Sequence, residues 1–499
     1  MPYSKDVLDL KRHILKAAET SRSYFDLNKL IVDVRKVNDS EVPYSGLGAR
    51  SPNDYFPSIK IIGSEIKPKE NDVSYNDIDT TFILGGRYSS NVISTNVPFF
   101  VSGMSYGSLK LPAKIALHLA LNKLAKEGIN MIMNTGEGGA LPWELYGSEE
   151  SCSNVSKKRH ESILDYADRL LKEHNLESID RDLLFSRLYP LVTQYASGRF
   201  WKDPSYLLNA DAIEIKIGQG AKIGHGGLLP GPKVTDLVAE NRGIPSYKAA
   251  HSPSRHLDIL GPEDLVAKIL ELREITDWKS PIIVKVGCSH VYDDIEIILK
   301  SYADAASIDG FVGGTGAAPW ELRDIIGINT VPSLIPSRKA IEDYYSITAK
   351  DEFKLIVHGS VWDSERIAKC IALGANGVGI GTGFLLSMGC TLVQDCYTNV
   401  CPAGLTGSYE KLDIEQSVTG IVNYVKGTLS ELKNIAGSLG RKSINDLRKD
   451  DLVATDELSS MLCGLMLEDG VTFKDLVKEK VKKAIDSRNR RINERLENK

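Results

Sequence analysis

Residues 282–286 read Ile282, Ile283, Val284, Lys285, Val286, an apolar run broken by one lysine. Upstream, residues 262–276 place apolar side chains at helical spacing, and downstream residues 305–310 form another short apolar run. A continuous run, rather than an alternating one, is what a strand buried on both faces requires. The same unit recurs along the chain. Runs at 98–102, 131–134, 191–195, 212–216, 282–286, 305–310, 354–358 and 377–381 predict eight strands. Amphipathic segments such as 110–126, 262–276 and 362–373 predict helices between them. Eight strands with interleaved helices fit one α/β domain, a (β/α)8 TIM barrel. A doubly wound open sheet is the alternative, because periodicity does not distinguish a closed sheet from an open one.

Working outward, the predicted barrel spans 96–407 of the 499 residues. Residues 1–95 form an N-terminal extension. Val7, Leu8, Leu10, Ile14 and Leu15 predict a helix over 5–20, and Pro43, Pro52, Pro57 and Pro68 mark turn-rich pieces after it. Residues 143–190 interrupt the alternation with a charged, mostly helical insertion that includes Glu149, Glu150, Lys157, Lys158 and Arg159. It reads as a βα-loop insertion, either a lid or docking surface or plain surface decoration. Residues 408–499 form a charged helical C-terminal region. Within it, residues 474–499 hold ten Lys or Arg against five Asp or Glu. Mixed charge at i,i+4 spacing without interleaved aromatics predicts a solvated helix rather than a nucleic-acid tail.

Composition excludes several classes. Apolar residues are 42% and charged residues 25%, ordinary for a globular protein. Lys and Arg total 61 against 66 Asp and Glu, so no nucleic-acid or anionic-membrane coat is expected. Seven cysteines in this length exclude a disulfide scaffold. The start, MPYSKDVLDLKRH, is charged and has no signal-peptide core, so the cytoplasm is the expected compartment. Residues 370–394 carry no charge but contain six glycines, Asn376 and two threonines. They read as a helix end, a buried strand and a glycine-rich loop, not as a membrane span.

Glycine clusters follow several predicted strands: 136–139, 218–227, 313–316 and 377–383. Glycine lets backbone amides crowd a phosphate or a flat ring. In a barrel these clusters gather at the C-terminal mouth, where the commonest phosphate site follows strands 7 and 8. Here that means His358, Gly359 and Ser360 with Gly379 to Thr382. Together they point to a large phosphorylated cofactor. Lys285 inside its apolar run needs a partner, or else it marks a water-exposed edge. Lys216, Lys222 and Arg242 flank Gln219 and suggest an acidic substrate; an ordinary solvated face is the alternative. Cys390, Cys396 and Cys401, followed by Pro402, are too few for an all-cysteine zinc or four-iron site. Three thiolates suit a 3Fe–4S cluster; three unrelated buried thiols are the alternative. His251 and His256 fall near the acidic-substrate region. No zinc-protease, serine-hydrolase or C-x-x-C signature is present.

Several of these stretches resemble the FMN-binding domain of glutamate synthases, in the same order. They are PFFVSGMSYGS at 98–108, NTGEGG at 134–139, YASGRF at 195–200, AIEIKIGQGAK at 212–222, GGLLPG at 226–231, GGTGAAP at 313–319, and the three-cysteine loop. The resemblance covers about residues 80–440. It implies an FMN-binding barrel with a 3Fe–4S cluster on Cys390, Cys396 and Cys401. It implies reduction of 2-iminoglutarate, formed from 2-oxoglutarate and ammonia, to glutamate, with the cluster feeding electrons to the flavin. FMN contacts carried over are Met104, Ser105, Asn134, Glu137, Lys285, Gly314, Gly359, Ser360, Gly381 and Thr382. The 2-oxoglutarate contacts are Gln219, Lys222, Arg242 and Ser252. Glu137, Lys222 and Lys285 carry the catalytic roles.

Departures from the family pattern bear on the substrate. Leu228 stands where the family has Gln, His225 where an acidic residue is common, and Val312 where one is frequent. The phosphate loop reads His-Gly-Ser rather than Asp-Gly-Gly. A lost polar contact changes which 2-oxo acid fits. An N-methylglutamate synthase-like transferase is therefore a second reading, and a non-catalytic electron-transfer or assembly subunit a third. The amidotransferase cysteine and a Rossmann fingerprint are both missing from the chain. Ammonia is expected from solution or a separate amidotransferase subunit. Electrons are expected from ferredoxin or a pyridine-nucleotide reductase. An oligomer is expected, and neither nucleic acid nor membrane is an expected partner.

Overall fold

The computed structural model describes residues 44–45, 54–63, 74–153, 156–158, 161–200, 204–350, 352–394, 396–407 and 412–497. The helix expected over 5–20 lies outside these residues. The chain divides at Tyr44, and the account below concerns the unit Ser45–Lys499.

Eight parallel strands close into a barrel in chain order. They are β1 Phe99–Val101, β2 Met133–Asn134, β3 Leu191–Ala196, β4 Ala212–Lys216, β5 Ile282–Gly287, β6 Ala305–Asp309, β7 Lys354–His358 and β8 Gly377–Ile380. Each falls within two residues of its expected position. The sheet is closed, so the open-sheet alternative is set aside. Helices pack outside it: α1 Leu111–Lys126, α2 Ile163–Glu173, α3 Asp236–Arg242, α4 Pro262–Ile275, α5 Val291–Leu299, α6 Thr330–Ile347, α7 Ser364–Ala372, α8 Ile414–Ser438 and α9 Phe473–Glu497. Proline in the first turn starts both α1 and α4, where its missing N–H costs nothing. The helix expected from residue 362 begins at Ser364. Asp363 caps it by accepting the Arg366 backbone N–H, so the two residues before Ser364 stay in the loop.

The uncharged stretch 370–394 holds the end of α7, the buried strand β8 and a short helix, Thr382–Ser387. No helix among the described residues is long and apolar enough to cross a membrane.

Inside the barrel, side chains alternate along each strand, so every second residue points inward. The lower layer is apolar: Phe100, Ile132, Val192, Ala212, Ile283, Ala305 and Ile356 form one buried cluster. The hairpin Phe82–Gly85 with Val92–Thr95 closes it from below through Phe82, Leu84 and Ile93. Two residues further along the strands the layer turns polar, with Ser102, Asn134, Gln194, Glu214, Lys285, Ser307 and His358. A cavity lies above that layer.

Outside the barrel, Ile59–Ile61 pairs antiparallel with Leu452–Ala454, which also pairs with Met466–Leu467. One small sheet thus joins the expected N-terminal extension to the C-terminal region. The insertion after residue 141 contains α2, three short helices and the hairpin Ser156–Lys158 with Glu161–Ser162. Its core of Trp143, Cys152, Tyr166 and Leu170 is continuous with Phe200, Leu229 and Val238. It buttresses one wall of the cavity. In α9, residues 477–486 are exposed.

Candidate active site

The cavity measures about 440 Å³ and opens over the C-terminal ends of the barrel strands. Loops after the strands build its walls, as the glycine clusters led one to expect. Met104, Ser105, Glu137, Gln219, Lys222, Arg242 and Ser252 line one part. Lys285, Gly314, Gly359, Ser360, Gly381, Thr382 and Cys396 line the rest. Asn134 is not at the surface of the cavity. It lies just below, where its amide donates to Glu214 Oε1 at 3.1 Å and its oxygen accepts from Gly136 N at 2.9 Å.

One end carries excess positive charge. Lys222 is 2% exposed and donates to the Ala317 carbonyl at 2.7 Å. Burial pulls its ammonium down to about 7, the Lys216 charge adds to this, and Glu137 opposes it. Arg242 is 4% exposed and donates to Ser105 Oγ at 3.0 Å and the Tyr106 carbonyl at 2.8 Å. Burial brings its guanidinium down to about 10. Lys216 pairs with Glu137 at 3.3 Å. Three cations therefore lie in the field of one carboxylate, which Lys216 contacts directly. Two polar atoms here, Arg242 Nε and Ser252 Oγ, are buried with no partner among the described residues. Such an arrangement suits an anion with several oxygen acceptors. Leu228 and Val312 also line the cavity, while His225 is exposed and does not. His256 stands behind, with Nε2 at 2.8 Å from the Lys216 carbonyl.

The polar inner layer forms the floor. Lys285 pairs with Asp309 at 3.2 Å, which answers the question its sequence position raised. Burial disfavours its charge, but Asp309 and then Glu214 outweigh burial and hold the ammonium above its ordinary value. Glu214 also accepts from Gln194 at 2.6 Å. His358 Nδ1 lies 2.7 Å from Ser102 Oγ. Burial, with the Lys285 charge, holds its imidazole well below the ordinary range, so it is neutral. Its ring requires Gly379, since a Cβ there would sit 1.9 Å from Cε1. Gln194, Glu214, Asp309 and Ser102 were not singled out as site residues by the sequence, and His358, named there with the phosphate loop, lies in the floor.

At the other end the Gly359–Ser360 loop bends sharply. Gly359 has φ of 93° and Ser360 of 57°. The Gly359 carbonyl accepts from Thr330 Oγ1 at 2.7 Å, and the Ser360 carbonyl from Arg366 Nη1 at 2.8 Å. A trans peptide points its N–H opposite to its C=O. The amides of Ser360 and Val361 are thereby turned away from those partners, and no acceptor among the described residues receives them. Consecutive free amides of this kind make a phosphate cradle.

Cys390, Cys396 and Cys401 share one loop and are all half-buried. Burial pushes the Cys396 thiol up to about 11. Burial also pushes at Cys401, but hydrogen bonds from Thr406, Ala403 and Leu405 bring that thiol below its ordinary value. Lys233 ties the loop to the barrel, donating to the Ser108 carbonyl at 2.8 Å and the Cys396 carbonyl at 2.9 Å. No set of three or more His, Cys, Asp or Glu side chains is drawn together as a metal site among the described residues. Cys152, Cys288, Cys370 and Cys463 are buried and lie elsewhere.

A family model described as the conserved region in glutamate synthase matches residues 65–442. Archaeal glutamate synthase (NADPH) of Methanocaldococcus jannaschii is 34% identical over 433 residues, 85% of this chain and 74% of its own. The glutamate synthase large subunit-like protein of Rhizobium meliloti is 30% identical over 437 residues, 83% of this chain and 88% of its own. Among solved structures, a flavocytochrome b2 mutant with benzoylformate aligns at TM-score 0.46 and 14% identity, over 82% of this chain and 80% of its own. The chain belongs to the glutamate synthase family.

Proposed function

We propose that this protein is an FMN-dependent oxidoreductase of the glutamate synthase type. It reduces 2-iminoglutarate, formed from 2-oxoglutarate and ammonia, to L-glutamate. One observation carries this reading: a single cavity holds three cations in the field of one carboxylate at one end and free loop amides at the other. The cation end suits a dicarboxylate, and the amide end suits the phosphate of FMN. The charged Lys285 between them suits an electron-rich ring.

When bound, FMN supplies the two electrons that reduce the imine carbon. The chain's own residues do the rest. Lys222 and Arg242 hold the substrate carboxylates, with Gln219 and Ser252 as neutral partners. Glu137 is the carboxyl group among these cations and carries the proton to the substrate nitrogen. Lys285, kept charged by Asp309 and Glu214, offsets negative charge on the reduced cofactor. We assign a 3Fe–4S cluster to Cys390, Cys396 and Cys401. The donor set fits in number and kind, and backbone hydrogen bonds favour the thiolate at Cys401. Electrons come from an external donor, ferredoxin or a pyridine-nucleotide reductase. Ammonia comes from solution or from a separate amidotransferase subunit.

The test is an absorption spectrum of anaerobically purified protein with flavin, iron and sulfide assayed. The reduced sample should regain its flavin absorbance when 2-oxoglutarate and ammonium are added together. No recovery, with both cofactors present, would refute this substrate pair. A second reading follows from Leu228 and Val312, which give the cavity two apolar lining residues where the family has a Gln and, often, an acidic residue. They suit the alkyl group of a primary amine, and thus an N-alkylglutamate product. Supplying methylamine with glutamate separates the two readings by product.

A further inference from the structure

The Gly359–Ser360 loop is held from outside the barrel by a residue of the N-terminal segment. Asp54 receives both Nη atoms of Arg366, one at 3.2 Å and the other in a closer contact. The same Arg366 Nη1 that reaches Asp54 also donates to the Ser360 carbonyl at 2.8 Å. The guanidinium lies 3.7 Å from the Trp362 ring centroid and 4.7 Å from that of Phe56. A second tie fixes the segment independently, since Lys369 Nζ donates to the Phe56 carbonyl at 2.8 Å. Arg366 and Lys369 both belong to α7, which directly follows the loop. Asp54, Tyr55 and Phe56 themselves line the cavity.

The orientation of Arg366 fixes that of the Ser360 carbonyl. The carbonyl in turn fixes where the Val361 amide points, because the peptide is planar. Ser360 keeps a left-handed φ of 57°, which a residue with a side chain adopts only under constraint. A forked carboxylate contact orients a guanidinium better than a single hydrogen bond does.

We propose that Asp54, acting through Arg366, is a positioning residue that holds the Ser360–Val361 amides in the conformation that grips the cofactor's phosphate. This rests on the FMN reading above. Neither residue needs to touch the cofactor. Their effect should therefore depend on the phosphate and not on the flavin ring.

Apoprotein of full length is titrated with FMN and, separately, with riboflavin, which has the same ring and no phosphate. Wild type should bind FMN the more tightly. Asp54→Asn should weaken FMN about tenfold and Arg366→Met about a hundredfold, the range for losing a charge-assisted hydrogen bond. Riboflavin affinity should stay within about twofold for both, because its contacts are untouched. Asp54 is half-exposed, so its substitution tests the idea without threatening the fold. Arg366→Lys, which keeps the charge and loses the fork, should fall between wild type and Arg366→Met.

Equal losses for FMN and riboflavin would show a merely structural role and overturn the proposal. So would unchanged FMN affinity in both variants while wild type binds FMN well. A wild type that binds neither compound would overturn the flavin reading, and this proposal with it.

Discussion

Two clusters of buried lysine chemistry lie on either side of the Thr135–Ala140 loop, and they differ in charge balance. Behind the loop, Lys114 pairs with Glu144 at 2.8 Å, both side chains fully buried. Glu144 Oε1 makes that ion-pair contact and no hydrogen bond among the described residues, while the other polar groups are used nearby. Lys114 reaches Thr135 Oγ1 at 3.2 Å, and Glu144 accepts from Thr135 Oγ1 at 2.8 Å and Leu141 N at 2.9 Å. In front of the loop, Lys216, Lys222 and Arg242 lie in the field of one carboxylate, and two polar atoms are left over. Lys222 and Arg242 are buried like Lys114 and Glu144, while Lys216 and Glu137 are partly exposed. The balance of charge differs. A closed, neutral cluster holds elements together, whereas a cluster with unspent charge is ready for a ligand.

Breaking the closed cluster should have the largest effect. Lys114→Met or Glu144→Gln leaves the other partner buried without its mate, at a cost of about 3–5 kcal/mol of stability. Denaturant unfolding followed by circular dichroism measures this. A loss below about 1 kcal/mol would mean that the pair is not structural and that the contrast is false.

The open cluster should respond in the opposite way. Lys222→Met should cut kcat/KM by about 10²–10³-fold, the usual result of removing one preorganised charge from a site. Stability should hold or rise, because a buried charge whose hydrogen bond goes to a carbonyl rather than to a carboxylate is removed. If Lys222→Met instead unfolds the protein while turnover in the remaining folded fraction is normal, Lys222 belongs with Lys114.

The same lysine sharpens the comparison through pH. Its ammonium lies near 7, because burial and Lys216 disfavour the charge. Only the charged form attracts a dianion. Affinity for 2-oxoglutarate should be full below pH 7 and weaken as pH rises through 7, by up to about tenfold per unit. KM measured from about pH 6 to about pH 9 checks this, and Lys222→Arg should flatten the profile because Arg stays charged throughout. A KM that is flat in the unsubstituted protein would place the substrate carboxylates elsewhere.

Much of this was legible in the sequence, for a physical reason. The eight strands lie within two residues of expectation because parallel barrel strands are buried on both sides and read as apolar runs. The glycine loops and the cations were marked because a phosphate and a dicarboxylate would need them, and they line one cavity. Reading the strands as uniformly apolar hid the polar inner layer. In Ala212–Lys216 and Leu191–Ala196 the inner layer contributes one polar residue each, Glu214 and Gln194, and a single polar residue in a strand of five or six does not stand out. Glu214 and Gln194 went unmarked for that reason, and His358 was marked only as part of the phosphate loop. Asp54 was missed for another: it meets Arg366 across a separation of 312 residues, which no local pattern encodes. The same holds for the small sheet that joins Ile59–Ile61 to Leu452–Ala454.

The smallest effect tests the rim of the open cluster. Leu228 pairs through its backbone with His251 and lines the cavity, so its side chain changes without disturbing that pairing. Leu228→Gln puts an amide beside the cations. One added neutral hydrogen bond amounts to about 0.5–1.5 kcal/mol, so kcat/KM for 2-oxoglutarate with ammonium should rise about twofold to tenfold. Any use of methylamine should fall by a similar factor, because the apolar lining that accommodates an alkyl group is reduced. Opposite movement of the two activities would locate amine choice at Leu228. A common loss of both would mean that Leu228 serves packing alone, and that the unspent charge of Lys222 and Arg242 sets the substrate without help from the rim.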